Sequence, residues 1–395
     1  MTITRPLPGS YNLAVIGAGI AGLAHAYAAA RLGKRVVIVD REAHATGASV
    51  RGYGLNLTTG QSGGLAWHRT WRSREILLDI ASQSGIWVEQ RGLMTVALRP
   101  EGLQICEQFC ASEMGTGCQI LTPAAARKRV PILQEEGILG ALWSPHELRY
   151  DGSGFCGNMA RWLVERLKVH IVRGAHVRSV FPTRVDTSAG PIRAEAVIVC
   201  PGDEMLALFA HRISNYRLTR CRMQMLRLVP GRRIRLPTSV QSDLGLLALP
   251  GFSELPGALQ LANRLTVERR TPPGSNFRML AVQANDRSLI VGDSRMTAPA
   301  ADPFLSAVAE QPILDEFDRV LDVPERVVAE RWIGVHAVAD RPLIVDRPSD
   351  AVRLVMLTGN FGASSVFAVA EEVVADLFGS TAAAEPEVTS QIASD

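Results

Sequence analysis

Lysine is almost missing from this chain of 395 residues, because Lys34, Lys128 and Lys168 are the only three and arginine supplies nearly all of the positive charge. The formal net charge is only +3 and no basic run reaches five residues, which argues against nucleic-acid and membrane-surface partners. No uninterrupted stretch of about 18 apolar residues predicts a membrane span. The opening residues MTITRPLPGS lack the apolar core of a signal peptide. We therefore expect a cytoplasmic protein.

Paired cysteines are missing too. The six cysteines show no CxxC spacing, so the sequence predicts neither a metal site nor a disulfide framework. Hydrophobic residues make up 47% of the chain and charged residues 21%, which is ordinary for a globular protein. The function must therefore be sought in local motifs.

The most informative motif is LAVIGAGIAGLAHAYAAA, which runs from residue 13 to 30. The pattern predicts a buried strand, a glycine turn and a helix, followed by a second strand that ends at Asp40. Gly17 permits the tight turn, Gly19 lets a pyrophosphate approach the backbone, and Gly22 allows the helix to pack closely on the strand. Asp40 is placed to accept hydrogen bonds from ribose hydroxyls. These features predict a dinucleotide site.

The rest of the chain divides into two kinds of segment. Residues 216–294 contain segments that alternate with a period of two, such as RCRMQMLRLV, which indicates antiparallel strands with one covered face. The last segment, VRLVMLTGNFGASSVFAVAEEVVADLF, has the order strand, glycine loop, helix, which suits a parallel sheet. A nucleotide domain built from separated segments, with a β-rich domain inserted, explains this order.

Several stretches resemble the D-amino-acid oxidase and glycine oxidase superfamily of FAD-dependent oxidoreductases. They are REAHATGASVRGYG, GAHVRSV, AEAVIVCPG and LTGNFGASSVFAVAEEVVADLF, and together they extend over nearly the whole chain. The resemblance implies FAD as the cofactor. With the glycine motif, it assigns FAD binding to Gly17, Gly19, Ile20, Gly22, Asp40, Arg41, Ala48, Ser49, Val177, Gly202, Gly359, Asn360, Phe361 and Gly362.

The predicted fold class is α/β, with a Rossmann-like FAD-binding domain of the glutathione-reductase-2 type and an inserted antiparallel-sheet substrate domain. The predicted FAD-binding segments are 1–84, 151–215 and 326–379. The predicted substrate-domain segments are 85–150 and 216–325. Residues 380–395 are rich in Ala, Ser, Thr and Glu and are expected to be a disordered tail.

In the resembled superfamily, hydride leaves the α-carbon of a neutral amine for flavin N5, and the imine then hydrolyses. The resemblance therefore implies an amine substrate and either O2 or another electron acceptor. LIVGDSRMTAPAADPF superficially resembles a motif of flavin hydroxylases, but ERWIGVHAVADRPLIVD resembles a passage of amine oxidases. We therefore interpret Asp293 as a turn residue. A flavin monooxygenase and a non-catalytic redox sensor remain alternatives.

The stretch WIGVHAVAD places His336 where glycine-oxidase-like members usually carry an arginine that holds the substrate carboxylate. Other stretches, including GASVRGYG, WSPHELR and CRMQMLRL, resemble a clade linked to aminophosphonate breakdown. That resemblance implies a 2-aminoethylphosphonate derivative, with or without an N-alkyl group, as the substrate. A glycine, sarcosine or D-amino-acid type of oxidase is the alternative.

An organophosphonate dianion needs arginines or backbone donors around it. On the predicted strand RCRMQMLRL, Arg222 and Gln224 share one face and Met223 and Met225 share the other. The predicted substrate-binding residues are Arg222, Gln224, Arg51 and His336. His336 and Arg278 are the predicted catalytic residues.

Overall fold

The computed structural model describes residues 9–268, 276–298, 304–359 and 362–379. Within these ranges the chain forms two β-sheets and the helices that pack on them. The predicted disordered tail lies outside the described residues. Among the described helices, none has the length and apolar character needed to cross a bilayer.

In chain order, the strands of the described ranges are β1 (Tyr11–Ile16), β2 (Val36–Asp40), β3 (Leu55–Asn56), β4 (Val88–Ala97), β5 (Gln119–Leu121), β6 (Gly140–Tyr150), β7 (His170–Arg173), β8 (Val177–Phe181), β9 (Arg184–Thr187), β10 (Gly190–Val199), β11 (Thr219–Val229), β12 (Ser239–Ser242), β13 (Asn276–Gln283), β14 (Leu289–Ala298), β15 (Val327–Val338), β16 (Leu343–Ser349) and β17 (Val352–Leu357).

The α-helices are α1 (Ile20–Arg31), α2 (Leu65–Ser84), α3 (Pro100–Cys110), α4 (Pro123–Arg129), α5 (Phe155–Leu167), α6 (Ala210–Ile213), α7 (Pro250–Ser253), α8 (Ala258–Glu268), α9 (Ala307–Val320) and α10 (Gly362–Phe378).

The first sheet has the strand order β16-β17-β10-β1-β2-β7. The five strands from β17 to β7 in this order are parallel to one another. Strand β1 is apolar from residue 13 to residue 16 because both of its faces are covered there. Leu13 and Val15 pack into the cluster formed with α1, α5 and α10, and Ala14 packs into a second cluster on the opposite face. Burial on both faces is typical of parallel sheets. The predicted Rossmann-like domain is confirmed.

The second sheet has the strand order β15-β11-β14-β13-β12-β4-β6-β3 and is antiparallel except where β12 pairs with β4. Helices α3, α8 and α9 contribute Phe109, Leu261 and Phe317 to the apolar cluster of this sheet. The predicted antiparallel sheet, inserted between segments of the first sheet, is confirmed.

Two elements lie in a different sheet from the one that the predicted segments give them. Strand β15 falls in the predicted FAD-binding segment 326–379, but it pairs with β11 in the second sheet, from Thr219 opposite Val338 to Val229 opposite Val327. Strand β3, within the predicted segment 1–84, pairs with β6 in the same sheet. After β10, the chain therefore returns to the first sheet only at β16.

His25 makes the stability of the first domain sensitive to acid. It is fully buried in α1, and its Nδ1 donates to the Ala21 carbonyl at 2.7 Å. Burial lowers the pKa of His25 to about 4, although the hydrogen bond offsets part of that effect. Because an unfolded histidine has a pKa of about 6.5, the unfolded chain binds a proton that the folded chain excludes, and stability falls as the pH drops through this window.

We expect His25 to account for a loss of about 2 kcal/mol in the free energy of unfolding between about pH 7 and pH 5. His25→Leu should remove this part of the pH dependence in urea unfolding followed by circular dichroism. His68→Leu, at an exposed position on α2, is the control and should leave the dependence unchanged. Equal acid sensitivity in the wild type and His25→Leu would contradict the prediction.

Candidate active site

The glycine motif forms a cradle at the N-terminus of α1. Gly17 has a φ of 101°, and its N–H donates to the Val39 carbonyl at 2.8 Å. A Cβ atom on Gly22 would lie 1.8 Å from the Gly17 carbonyl oxygen, so only glycine allows this approach of helix and strand. On Gly19 a Cβ would meet only the Ser49 hydroxyl, at 3.1 Å. The first N–H groups of a helix attract phosphate, and this cradle leaves room for it.

Two polar side chains hold the cradle in place. The Asp40 carboxylate accepts from the N–H of Ala18 at 2.5 Å and from that of Glu42 at 2.8 Å. The Ser49 hydroxyl accepts from the N–H of Ile20 at 3.0 Å. The loop after β2 is thereby tied to the start of α1, with Asp40 at the edge where a ribose would lie.

Two adjoining cavities meet at this cradle. The outer cavity is lined by Gly17, Asp40, Arg41 and Val177 among others. The inner cavity is lined by Ile20, Gly22, Gly359, Ala363 and residues of the second sheet. Both cavities include Gly19, Ala48, Ser49 and Gly202 in their walls. This shape fits a dinucleotide with its pyrophosphate at the cradle.

The structure thus brings eleven of the predicted cofactor residues to the cavity walls: Gly17, Gly19, Ile20, Gly22, Asp40, Arg41, Ala48, Ser49, Val177, Gly202 and Gly359. Gly362 is the first residue of α10, next to Ala363 in the wall of the inner cavity. The start of α10 can therefore stabilise negative charge in the inner cavity through its dipole. Asn360 and Phe361 lie outside the described residues.

Tyr53, Arg278 and Arg295 line the inner cavity. Together with the buried Asp293 they form an arginine–aspartate cluster. Asp293 accepts from Arg278 Nη2 at 2.9 Å and from Arg295 Nε and Nη2 at 2.6 and 3.1 Å. The Tyr53 hydroxyl donates to Asp293 at 3.1 Å, and the Arg278 guanidinium lies 5.0 Å from the centre of the Tyr53 ring. Asp293 is fully buried, whereas Arg278 and Arg295 are 5% and 8% exposed.

The cluster has a net positive charge. Burial alone would raise the pKa of Asp293, but the Arg278 and Arg295 guanidinium groups hold it well below its usual value, so Asp293 is ionised. Burial, reinforced by the Asp293 charge, raises the pKa of Tyr53 well above its ordinary value, so Tyr53 is neutral. In the described part of the chain no second carboxylate is bonded to either guanidinium. Two cations therefore face one anion.

One edge of this cluster has buried hydrogen-bond donors that no described residue uses. Arg295 uses Nε and Nη2 on Asp293, and its buried Nη1 has no hydrogen-bond partner among the described residues. The buried Nε of Arg278 also has no hydrogen-bond partner among the described residues. Because a guanidinium is a rigid planar fork and its Nε and Nη2 face Asp293, Nη1 points away from Asp293 and its donors stay unused.

Irregular strand pairing creates the cluster. Gln224 and Met225 of β11 face Ser294 and Gly292 of β14, so Asp293 is an additional residue with no partner on β11. The pairing of β13 with β14 also shifts between Phe277 and Leu280, next to Arg278. Such β-bulges turn a side chain out of the regular alternation. The interpretation of Asp293 as a turn residue is therefore wrong: it lies within strand β14.

His336 and Met223 also line the inner cavity, on the same face of the sheet as Arg295. Met223 lies opposite Arg295 of β14 on one side and opposite Gly334 of β15 on the other. His336 lies opposite Cys221, two residues from Met223 on β11. Of the predicted substrate-binding and catalytic residues, the structure places only His336 and Arg278 in the wall of this cavity.

Arg222 and Gln224 lie outside the wall of the inner cavity, so their positions do not support their assignment to the substrate pocket. They lie on the other face of β11, where Arg222 Nη2 donates to the Phe304 carbonyl and Gln224 bonds to the backbone of Ser306 at 3.0 Å. The sequence predicts the alternation of side chains along β11 correctly, but the face that meets the cavity is the one that carries Met223.

Arg51 also lies away from the inner cavity. Its guanidinium donates to the carbonyls of Thr46 at 2.7 Å and Ile333 at 3.1 Å, and its own carbonyl accepts from Trp332 Nε1 at 2.9 Å. It joins the loop after β2 to β15 rather than facing the cavity, so its predicted role as a substrate ligand is not supported by its position.

Sequence reasoning missed Tyr53, Arg295 and Met223 as residues of the cavity wall. It also missed Asp293 as the partner of the two arginines. The spacing of Asp293 and Arg295, two positions apart in an alternating segment, was the available signal for a shared face. Within the described ranges, no group of His, Cys, Asp and Glu residues is arranged to hold a metal ion.

Comparison with known proteins adds family information to this geometry. A family model described as FAD dependent oxidoreductase matches residues 12–377. Mitochondrial sarcosine dehydrogenase of Homo sapiens is 26% identical over 226 residues, which are 50% of this chain and 23% of that protein. The chain therefore matches less than a quarter of that relative's length.

Solved structures share the fold. Glycine oxidase from Bacillus cereus ATCC 14579 has a TM-score of 0.75 at 16% identity, covering 93% of this chain and 95% of the other. L-proline dehydrogenase from P. horikoshii has a TM-score of 0.74 at 17% identity, covering 93% of both chains. At these identities the two structures establish the common architecture.

Proposed function

This chain belongs to the family of FAD dependent oxidoreductases, and we propose that it oxidises a small amine that carries an anionic group. FAD is its cofactor, and the cradle at the N-terminus of α1 has the room and the donors to hold the pyrophosphate. The relatives named sarcosine dehydrogenase, glycine oxidase and L-proline dehydrogenase support an amine as the reduced substrate.

The observation that carries this proposal is the positive charge buried in the wall of the inner cavity. An uncompensated buried charge is costly, so it is found where a partner neutralises it. Arg278 and Arg295 share a single carboxylate, and Arg295 Nη1 is directed away from it. An anionic group on the substrate would neutralise the cluster and anchor the molecule beside the cofactor.

Each residue of the cavity has a role in this proposal. Arg295 and Arg278 bind the anionic group and fix the orientation of the substrate. His336, on the same face as Arg295, accepts a proton from the amine nitrogen so that the nitrogen lone pair is free when the carbon–hydrogen bond breaks. When bound, FAD supplies the two-electron acceptor for the oxidised carbon–nitrogen unit. O2 or another acceptor would then take the electrons.

For the anionic group we propose a phosphonate, so that the substrate is a 2-aminoethylphosphonate derivative with or without an N-alkyl group. Two guanidinium groups in one cluster offer more donors than one carboxylate can accept, and arginine forks match the oxygens of phosphonate-like groups. The resemblance of GASVRGYG and CRMQMLRL to an aminophosphonate clade supports the same class. A cytoplasmic location and the lack of nucleic-acid and membrane partners stay predictions.

Anaerobic mixing of the holoenzyme with a panel of amines tests the proposal. The panel consists of 2-aminoethylphosphonate, its N-methyl derivative, sarcosine, glycine, a D-amino acid and propylamine. We expect the phosphonates to bleach the visible flavin absorption and propylamine, which lacks the anion, to leave it unchanged.

Each other outcome rejects part of the proposal. Bleaching by amino acids alone would reject the phosphonate and favour a glycine or sarcosine type of oxidase. Bleaching by propylamine at the same rate would reject the anion requirement. If no amine bleaches the flavin, amine oxidation is wrong, and bleaching by NAD(P)H would then indicate a monooxygenase.

A further inference from the structure

Arg295 and His336 are the two polar ends of the inner cavity, and the strand register fixes the distance between them. Strands β14 and β15 flank β11. Arg295 of β14 lies opposite Met223 of β11, and His336 of β15 lies opposite Cys221 of β11. Strands lie about 4.8 Å apart and rise about 3.4 Å per residue, so the Cα atoms of Arg295 and His336 are about 12 Å apart. A substrate that reaches both ends must therefore pass above β11.

Met223 occupies the position between those ends. It is half-buried, it lines the inner cavity, and it lies opposite Arg295 and Gly334. Its side chain extends towards β15, because a Cβ atom built on Gly334 would lie 3.2 Å from Met223 Cε. The missing side chain at residue 334 is what gives Met223 this space. No charged or hydrogen-bonding group on β11 faces the cavity at this level.

We propose that Met223 is a specificity-determining residue that sets the longest carbon chain allowed between the anionic group and the amine of the substrate. This inference rests on the proposed function, because it needs the anion at Arg295. The thioether touches the carbon chain, which carries no charge, and closes the cavity beneath it. A longer chain between the same two ends would have to bend into the volume that Met223 fills.

The test uses a homologous series: aminomethyl-, 2-aminoethyl- and 3-aminopropylphosphonate, each mixed anaerobically with the holoenzyme. One methylene in an apolar pocket changes discrimination by about 10- to 200-fold. We compare the ratio of the flavin-reduction rate constant to Kd for each compound. We expect this ratio in the wild type to be about 10-fold higher for the two-carbon than for the three-carbon compound. Met223→Ala should abolish that preference, and Met223→Leu, which keeps the volume, should retain it.

Gly334→Ala adds an independent test, because it should narrow the cavity at Met223, whereas Met223→Ala should widen it. The new methyl group would press on Met223 Cε and push it into the cavity, so the three-carbon compound should lose more binding than the two-carbon compound. An unchanged two-carbon to three-carbon ratio in Met223→Ala would overturn the inference. An equal weakening of all three compounds by both substitutions would also overturn it, since that is the result of a merely structural role.

Failure of the proposed function can be told apart from failure of this inference. If no amine reduces the flavin in the wild type, the proposed function is wrong. The same compounds can still be titrated against the absorption spectrum of the bound flavin, which reports Kd without turnover. The ratio of these Kd values in wild type and Met223→Ala then decides the role of Met223 by the same criterion.

Discussion

Replacing Arg295 with methionine is expected to raise KM for the anionic amine by about 10- to 150-fold, because a hydrogen bond to a charged group contributes about 1.5–3 kcal/mol. Arg295 Nη1 has no hydrogen-bond partner among the described residues, and Asp293 would keep Arg278 as its partner. The substitution also removes the net positive charge of the cluster, which an anionic substrate would neutralise. Steady-state kinetics and FAD content of the purified variant measure the effect.

Arg222→Met is the matched control. Arg222 is 5% exposed, lies in the same sheet, and bonds to the Phe304 carbonyl on the face away from the cavity. Its loss can lower stability but should change KM by much less than the loss of Arg295. Equal effects of the two substitutions on KM, with FAD still bound, would show that Arg295 has no special role in substrate binding.

Gly22→Ala is expected to abolish FAD binding. The new Cβ would lie 1.8 Å from the Gly17 carbonyl oxygen, so α1 must move away from β1. The cradle at the N-terminus of α1 would then lose the position that a pyrophosphate needs. The purified variant should be colourless, with FAD well below one per chain after addition of excess cofactor, while circular dichroism reports whether the fold persists.

Gly157→Ala provides the comparison for this substitution. Gly157 lies in α5, and a Cβ atom added there would have no neighbouring atom within 4 Å, so the methyl group enters open space. This variant should bind FAD normally and gain about 0.5–1 kcal/mol of helix stability. Normal FAD affinity in Gly22→Ala would refute the assignment of the cradle.

Local motifs are enough to predict the cofactor half of the molecule. The glycines, the helix after them and Asp40 at the end of β2 follow one another within a single βαβ unit, so short-range spacing determines their geometry. Strand β1 can be recognised because burial on both faces makes it a continuous apolar run. The start of α10 can be identified in the same way, from a glycine loop between strand and helix.

The substrate half depends on which face of a sheet meets a cavity, and this is not a local property. Alternation in β11 separates Arg222 and Gln224 from Met223 correctly, but it does not say which set faces the other domain. The structure shows that α9 and the residues before it cover the arginine side. The sequence therefore assigns to the substrate a charged strand face that is in fact covered by the backbone of the same chain.

The bulge at Asp293 explains why the sequence favours a turn at this residue, although it lies within strand β14. A strand with an additional residue breaks the period of two, so the sequence GDSR favours a turn. The partner strand β13 is also irregular beside Arg278, and the two irregularities together bring three ionised side chains to one point. Arg278 becomes evident as a partner of Asp293 only once β13 and β14 are paired.

The most direct test of the account is a titration of the bound flavin with ethylphosphonate, which has the anionic group and no amine, and with propylamine, which has the amine and no anion. If the arginine–aspartate cluster binds the substrate anion, ethylphosphonate should perturb the flavin spectrum saturably in the wild type and not in Arg295→Met, and propylamine should have little effect. An equal response to ethylphosphonate in both proteins, or no response in the wild type, would contradict the account.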